Sequence, residues 1–182
     1  MKKKKNKIYK ALCELCKASI VIQSQCGNLY DRNSIQYLKE FCTIKCCSSR
    51  RSGHTTAIAE YCLENPLHSP NKFHISPSNI LVICPTLKMS DCVRNAISKN
   101  KHVKVNHNSI ECFHAYHIKF LNYDVNLGSI EQLREGYLNG FDLSTIIVDC
   151  SSMLTNESVD KIYRFASASM SLHEHKLIIF ME

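Results

Sequence analysis

The chain has 182 residues, 45% of them hydrophobic, with five Gly, four Pro and a formal net charge of +7. That length suits one α/β domain with a sizeable core, and so little Gly and Pro excludes a fibrous or disordered chain. No apolar run nears the ~20 residues that cross a bilayer, and no signal-peptide core follows the four lysines at 2–5. The sequence therefore reads as intracellular, with no membrane partner, and its charge favours an anionic partner such as nucleic acid or nucleotide.

Residues 7–40 carry two helical patterns, separated by Gly27-Asn28 and by the turn Asp31-Arg32-Asn33-Ser34. The second, over 35–41, runs directly into a first strand over 42–47. Residues 57–63 are apolar at helical spacing and stop before Pro66. Three of the four prolines fall in 65–78, which predicts a surface loop. Residues 79–85 form an unbroken apolar run that suits a strand buried on both faces, and helical spacing follows over 87–97. Short strands are predicted at 102–105 and 118–121. Residues 143–149 make the clearest strand, ending on Asp149. A helix over 157–168 and a strand over 176–181 follow. Strands alternating with helices predict an α/β fold, a mostly parallel sheet with helices on both faces and 42–47, 80–84 and 146–149 as central strands. The expected organisation is a single domain over 1–182, with a helical lead-in (1–40) and an α/β core (41–182).

Between the first strand and its helix stands Cys46-Cys47-Ser48-Ser49-Arg50-Arg51-Ser52-Gly53-His54-Thr55-Thr56. It approximates the phosphate loop G-x-x-x-x-G-K-S/T, whose backbone N–H groups wrap phosphates while its Lys neutralises them and its hydroxyl holds Mg²⁺. Ser48 stands at the first Gly, Gly53 is kept, His54 replaces the Lys and Thr55 supplies the hydroxyl. A Lys is charged at any physiological pH, whereas an imidazole is mostly neutral around pH 7. The nucleotide-contacting set on this reading is Ser49, Arg50, Arg51, Ser52, Gly53, His54, Thr55 and Thr56. A Ser/Arg-rich turn holding one Gly is the alternative.

Asp149 ends an apolar strand, at the edge where parallel sheets bind ligands. An Asp there can hold Mg²⁺ opposite the loop hydroxyl, which makes Thr55 and Asp149 the candidate magnesium pair. The alternative is an Asp that caps the turn at Ser151-Ser152. The next residue is Cys150, and neither it nor the serines after it is a general base for water at neutral pH. Together with His54 this predicts slow or absent hydrolysis. Among the eleven Cys, Cys13-x-x-Cys16 with Cys26, Cys42, Cys46 and Cys47 could offer four zinc ligands. Cys13 and Cys16 also fit a helix over 8–22, however, and Cys46 and Cys47 belong to the strand before the loop. Reduced Cys used as small hydrophobes is the favoured account and zinc is disfavoured. His114-x-x-His117 alone is weak evidence for a metal.

With both landmarks placed, the chain resembles the ATPase domain of phage large terminases and, more broadly, the first RecA-like domain of superfamily 2 helicases. The terminase loop commonly reads S-R-Q-x-G-K-T/S-T, and residues 49–56 follow it except at Arg51 and His54. Residues 80–86 look like the motif after the first crossover, and 128–129, 140–142 and 146–149 echo the approach to the second acidic motif. The similarity covers roughly residues 33–182. It implies a RecA-like P-loop NTPase core. Arg50 would reach toward the γ-phosphate, Gly53 to Thr56 would hold the β-phosphate and Mg²⁺, Asp149 would complete the metal site and Gln36 would contact adenine. It further implies ATP with Mg²⁺ as cofactor, nucleic acid or a nucleic-acid motor protein as partner, and an oligomer. The chain departs from the family at His54, where the loop Lys would stand, and at Cys150, where a Glu would orient the attacking water. It stops at Glu182, where the family places its coupling motif, and its length excludes a complete packaging motor. The function expected is a degenerate terminase- or helicase-like P-loop domain that binds nucleotide, nucleic acid or both with little or no hydrolysis, as a regulatory or decoy partner of a DNA motor. The alternatives are a non-catalytic protein- or nucleic-acid-binding module that has lost the nucleotide, and a small zinc-binding protein. The Lys, Asn and Ile content suggests an AT-rich viral genome, hence host-cell cytoplasm.

Overall fold

A computed structural model of the chain describes residues 6–26, 30–47, 53–64, 79–99, 103–105, 109–112, 117–122, 142–170 and 174–182. The loop expected over 65–78 lies outside the described residues. Helix α1 (Lys7–Cys26) is followed by α2 (Ile35–Phe41), β1 (Thr43–Cys46) and α3 (His54–Glu64). Then come β2 (Asn79–Cys84), α4 (Leu87–Ser98), β3 (Val103–Val105), β4 (Ser109–Cys112) and β5 (His117–Asn122). The chain ends with β6 (Leu143–Val148), a single 3-10 turn (Ser151–Met153), α5 (Asn156–Ser169) and β7 (Leu177–Met181). Side-chain oxygens open three of these helices. Ser34, Thr86 and Thr155 each accept a hydrogen bond from the backbone N–H three residues on, which satisfies an orphan donor of the first turn.

The described strands form one seven-stranded sheet in the order β1-β7-β6-β2-β5-β4-β3. The first five run parallel, and β4 and β3 add an antiparallel extension. Every residue of β2, β6 and β7 is buried, the polar Asn79, Ser144 and Thr145 included, as strands with helices on both faces require. One face packs against α1, α3 and α4 through Leu12, Ile58, Val93 and Ile97. The other packs against α2 and α5 through Leu38, Ile162, Phe165 and Ala166. Each fully buried Leu, Ile or Phe contributes about 1.5–3 kcal/mol.

One expectation is corrected. The first strand, read as central, stands at one end of the described sheet order. Its burial alternates, with Ile44 and Cys46 buried and Lys45 exposed, as a half-covered edge strand demands. In addition, β6 stops at Val148, so Asp149 belongs to the turn, and β4 had no counterpart in the sequence reading. No described helix is long and apolar enough to cross a membrane.

Candidate functional site

All five parallel strands present their C-terminal ends at one edge of the sheet. Cys47 follows β1 there, Asp149 follows β6 and Glu182 follows β7. Only β7 stands between the strand that leads into the loop and the strand that leads into Asp149.

Gly53 enters α3 with φ +97°, a left-handed conformation that suits glycine. A Cβ at this position would lie 2.6 Å from Asn6 Nδ2, so any side chain meets both strain and a clash. The contact arises because Asn6 ties the start of α1 to the start of α3. Its Nδ2 donates to Gly53 O (3.1 Å), its backbone N–H donates to Glu60 Oε2 (3.2 Å), and its Oδ1 accepts from Ile8 N (2.8 Å). Gly53 O also accepts from Ala57 N (2.9 Å), the first bond of α3. His54 is therefore the first residue of the helix. Thr55 follows half-buried and Thr56 exposed, all in the turn where free N–H groups make helix N-termini attractive to anions.

Asp149 is 2% exposed, and its backbone N–H donates to Ile83 O (2.8 Å), which anchors the turn to β2. Burial raises its carboxyl pKa, and the charge of His54 and hydrogen bonds from the Cys150 amide and thiol pull it back in part. His54 is thus near enough for its charge to influence Asp149, although the two lie about 95 residues apart in the chain. Cys150 adopts a left-handed conformation (φ 51°), which turns the chain sharply after Asp149. On β2, Cys84 is fully buried and burial pushes its thiol up to about 12, so it stays protonated.

Of the sequence-predicted set, Gly53, His54, Thr55, Thr56 and Asp149 gather at this edge, whereas Ser49, Arg50, Arg51 and Ser52 lie outside the described residues. Gln36 does not join them. It is exposed on α2, donates to Glu40 Oε1 (3.0 Å), and belongs to the helix that runs into the opposite end of β1. Cys13 and Cys16 lie on α1, with Cys16 fully buried in the core beside Tyr61. Among the described residues, no three His, Cys, Asp or Glu side chains converge as a metal-ligand cluster. Glu182 was missed as a site residue. Its carboxylate accepts from Cys47 Sγ (3.1 Å) and Ser151 Oγ (3.4 Å), and only the pairing of β7 with β1 and β6 reveals this.

No protein-family model matches the chain, and no curated protein matches it. Among solved structures, it is similar to the crystal structure of the HK97 bacteriophage large terminase, with a TM-score of 0.54 and 15% identity. The fold is terminase-like. The match covers 77% of this chain but only 29% of that terminase, and at such identity it speaks for architecture alone. The N-terminal domain of the DNA packaging ATPase from bacteriophage phi29 also aligns, with a TM-score of 0.48 and 10% identity over 84% of this chain and 78% of that one.

Proposed function

We propose that this chain is a terminase-like P-loop domain that binds a nucleoside triphosphate with Mg²⁺, turns it over slowly if at all, and serves a nucleic-acid motor as a regulatory or decoy partner. The observation that carries this reading is the junction of Gly53 (φ +97°), the N-terminus of α3 and the buried Asp149 at one edge of the parallel sheet. A helix N-terminus opened by a left-handed glycine suits a phosphate, and the oxygens of Thr55 and Asp149 suit a hard cation. The residues present therefore fit the group. The amides from Gly53 to Thr56 would hold phosphate, with Ser49, Arg50, Arg51 and Ser52 completing the loop, and Thr55 and Asp149 would hold Mg²⁺. When bound, the cation would supply charge neutralisation on the phosphates.

His54 and Cys150 limit turnover. An imidazole next to a carboxylate delivers less charge to a phosphate than a Lys, and electrostatic stabilisation is usually the largest catalytic term. The likeness to a large terminase and the net charge of +7 support a nucleic-acid motor or nucleic acid as partner. The Asn6 contact to Gly53 and a Gln23 contact to Lys176 support the lead-in and the core acting as one domain. The electrostatic influence of His54 on Asp149 also favours a second reading, in which the imidazole serves an internal charge, nucleotide is lost and the fold is a scaffold for a macromolecular partner.

Calorimetric titration of ATP, with and without Mg²⁺, separates the two. His54→Ala and Arg50→Ala should each weaken binding, since each removes a donor that would meet the phosphates, and the Arg change should cost more because a guanidinium is always charged. Absence of binding at low-millimolar ATP throughout would reject nucleotide binding in favour of the scaffold.

A further inference from the structure

We propose that Glu182 is the water-orienting carboxylate of this site, standing one strand away from position 150, where the chain has Cys. The proposal rests on the nucleotide-binding reading above and deepens it: slow hydrolysis is present and depends on Glu182. Two registers carry the inference. β6 and β7 pair in parallel with Val148 opposite Phe180, and β1 and β7 pair with Cys46 opposite Met181. Continuing the second brings Glu182 abreast of Cys47, whereas the first ends where the chain turns at Asp149 and the left-handed Cys150, so Glu182 stands across from that turn, at the sheet edge that position 150 would serve. The ladder does reach this residue, because Glu182 N donates to Cys46 O (3.0 Å).

The side chain is held in place. Its Oε2 accepts from Cys47 Sγ (3.1 Å) and its Oε1 lies 3.4 Å from the hydroxyl of the buried Ser151, which is equally close to Met181 O, so the carboxylate stands between the end of the loop strand and the turn that carries Asp149 and Cys150. Each oxygen keeps a further lone pair, and the residue is exposed, so water has access. Neither Cys150 nor Ser151 can accept a proton from water at neutral pH, whereas an ionised Glu can. Glu182 would hold the attacking water and take its proton as the water oxygen bonds to the γ-phosphorus. The bond from that phosphorus to the β–γ bridging oxygen breaks, with its electron pair leaving on the nucleoside diphosphate, and Glu182 then returns the proton to solvent. No oxidant or further reactant is needed.

Glu182→Gln keeps the shape of an exposed side chain while removing its basicity, its charge and one of its two acceptor oxygens. Steady-state ATPase of the full chain should fall by about 10²-fold, the usual loss with a general base, while calorimetric ATP affinity stays within about twofold. Adding Cys150→Glu to that variant should restore turnover, since it places a carboxylate at the end of the neighbouring strand. A readout independent of activity is alkylation of Cys47. The hydrogen bond to Glu182 raises the Cys47 pKa, so Glu182→Gln should speed its reaction with iodoacetamide. ATP binding without turnover, turnover indifferent to Glu182→Gln, or unchanged Cys47 alkylation would each overturn the proposal and leave nucleotide binding standing. Absence of calorimetric ATP binding would overturn both.

Discussion

At the N-terminal ends of the parallel strands, amides meet amides. Gln23 Nε2 donates to Lys176 O (2.7 Å) while Lys176 N donates back to Gln23 Oε1 (3.0 Å), so a helix side chain pairs with the start of β7 as another strand would. Ser19 Oγ donates to Phe41 O (2.7 Å), Asn79 Nδ2 donates to Asp142 O (2.9 Å), and Asn79 Oδ1 accepts from His117 N (2.9 Å). The buried Lys176 donates its ammonium to Arg32 O (3.0 Å) and to Asn33 Oδ1. At the C-terminal ends the inventory differs: a buried carboxylate with a raised pKa, two left-handed residues, and a carboxylate shared between a thiol and a hydroxyl. One edge gives each of these buried groups, the Lys176 ammonium included, a donor or acceptor to meet, which makes burial tolerable. The other holds charge where it costs stability, the usual sign of residues kept for what they bind.

Replacing Gln23 by Leu should have the largest effect on this contrast. It strands the N–H and C=O of Lys176 in the interior and should cost about 2–4 kcal/mol in urea unfolding, with ATP affinity unchanged. A small loss would mean that the N-terminal edge is not the structural one.

Asp149→Asn should act in the opposite direction and more weakly. A carboxyl whose pKa is raised on folding favours the folded state fully below its ordinary pKa, and that contribution is lost as pH rises through the folded value. Neutral Asn carries no such pH dependence. The variant should be more stable by about 1 kcal/mol at neutral pH, the gap closing as the solution is acidified below the usual carboxylate range, while Mg²⁺-dependent ATP binding is lost. Destabilisation at neutral pH would make Asp149 a structural cap instead.

Lys39→Ala is the control on neither edge. Lys39 Nζ meets Asp160 Oδ1 at 2.9 Å between α2 and α5, with both side chains about half exposed, and it lies 5.2 Å from the centroid of the Tyr163 ring. Thermal unfolding should register less than about 1 kcal/mol, shrinking further in salt.

Legibility in the sequence followed locality. The runs that became β2, β6 and β7 could be read because burial on both faces needs continuous apolar residues, and α3 and α5 because their apolar positions repeat at helical spacing. The edge position of β1 was hidden, since its cysteines made Cys-Thr-Ile-Lys-Cys-Cys look uniformly apolar. β4 escaped because Ser-Ile-Glu-Cys is short and carries a charge. Gly53, His54, Thr55 and Asp149 were legible as candidates from their positions after a strand. Asn6, Gln23 and Glu182 belong to no motif, because their partners lie on distant elements.

By itself, then, the sequence determined the alternation of strands and helices and the places where a loop and an acid follow a strand, since side-chain periodicity and turn chemistry act over a few residues. Only the tertiary structure decided that β7 runs between β1 and β6, and hence that Glu182 reaches both Cys47 and Ser151 while the charge of Asp149 is felt together with that of His54. Strand order depends on backbone hydrogen bonds between segments far apart in the chain and on how helices cross the sheet, and no local pattern of residues specifies which strands pair.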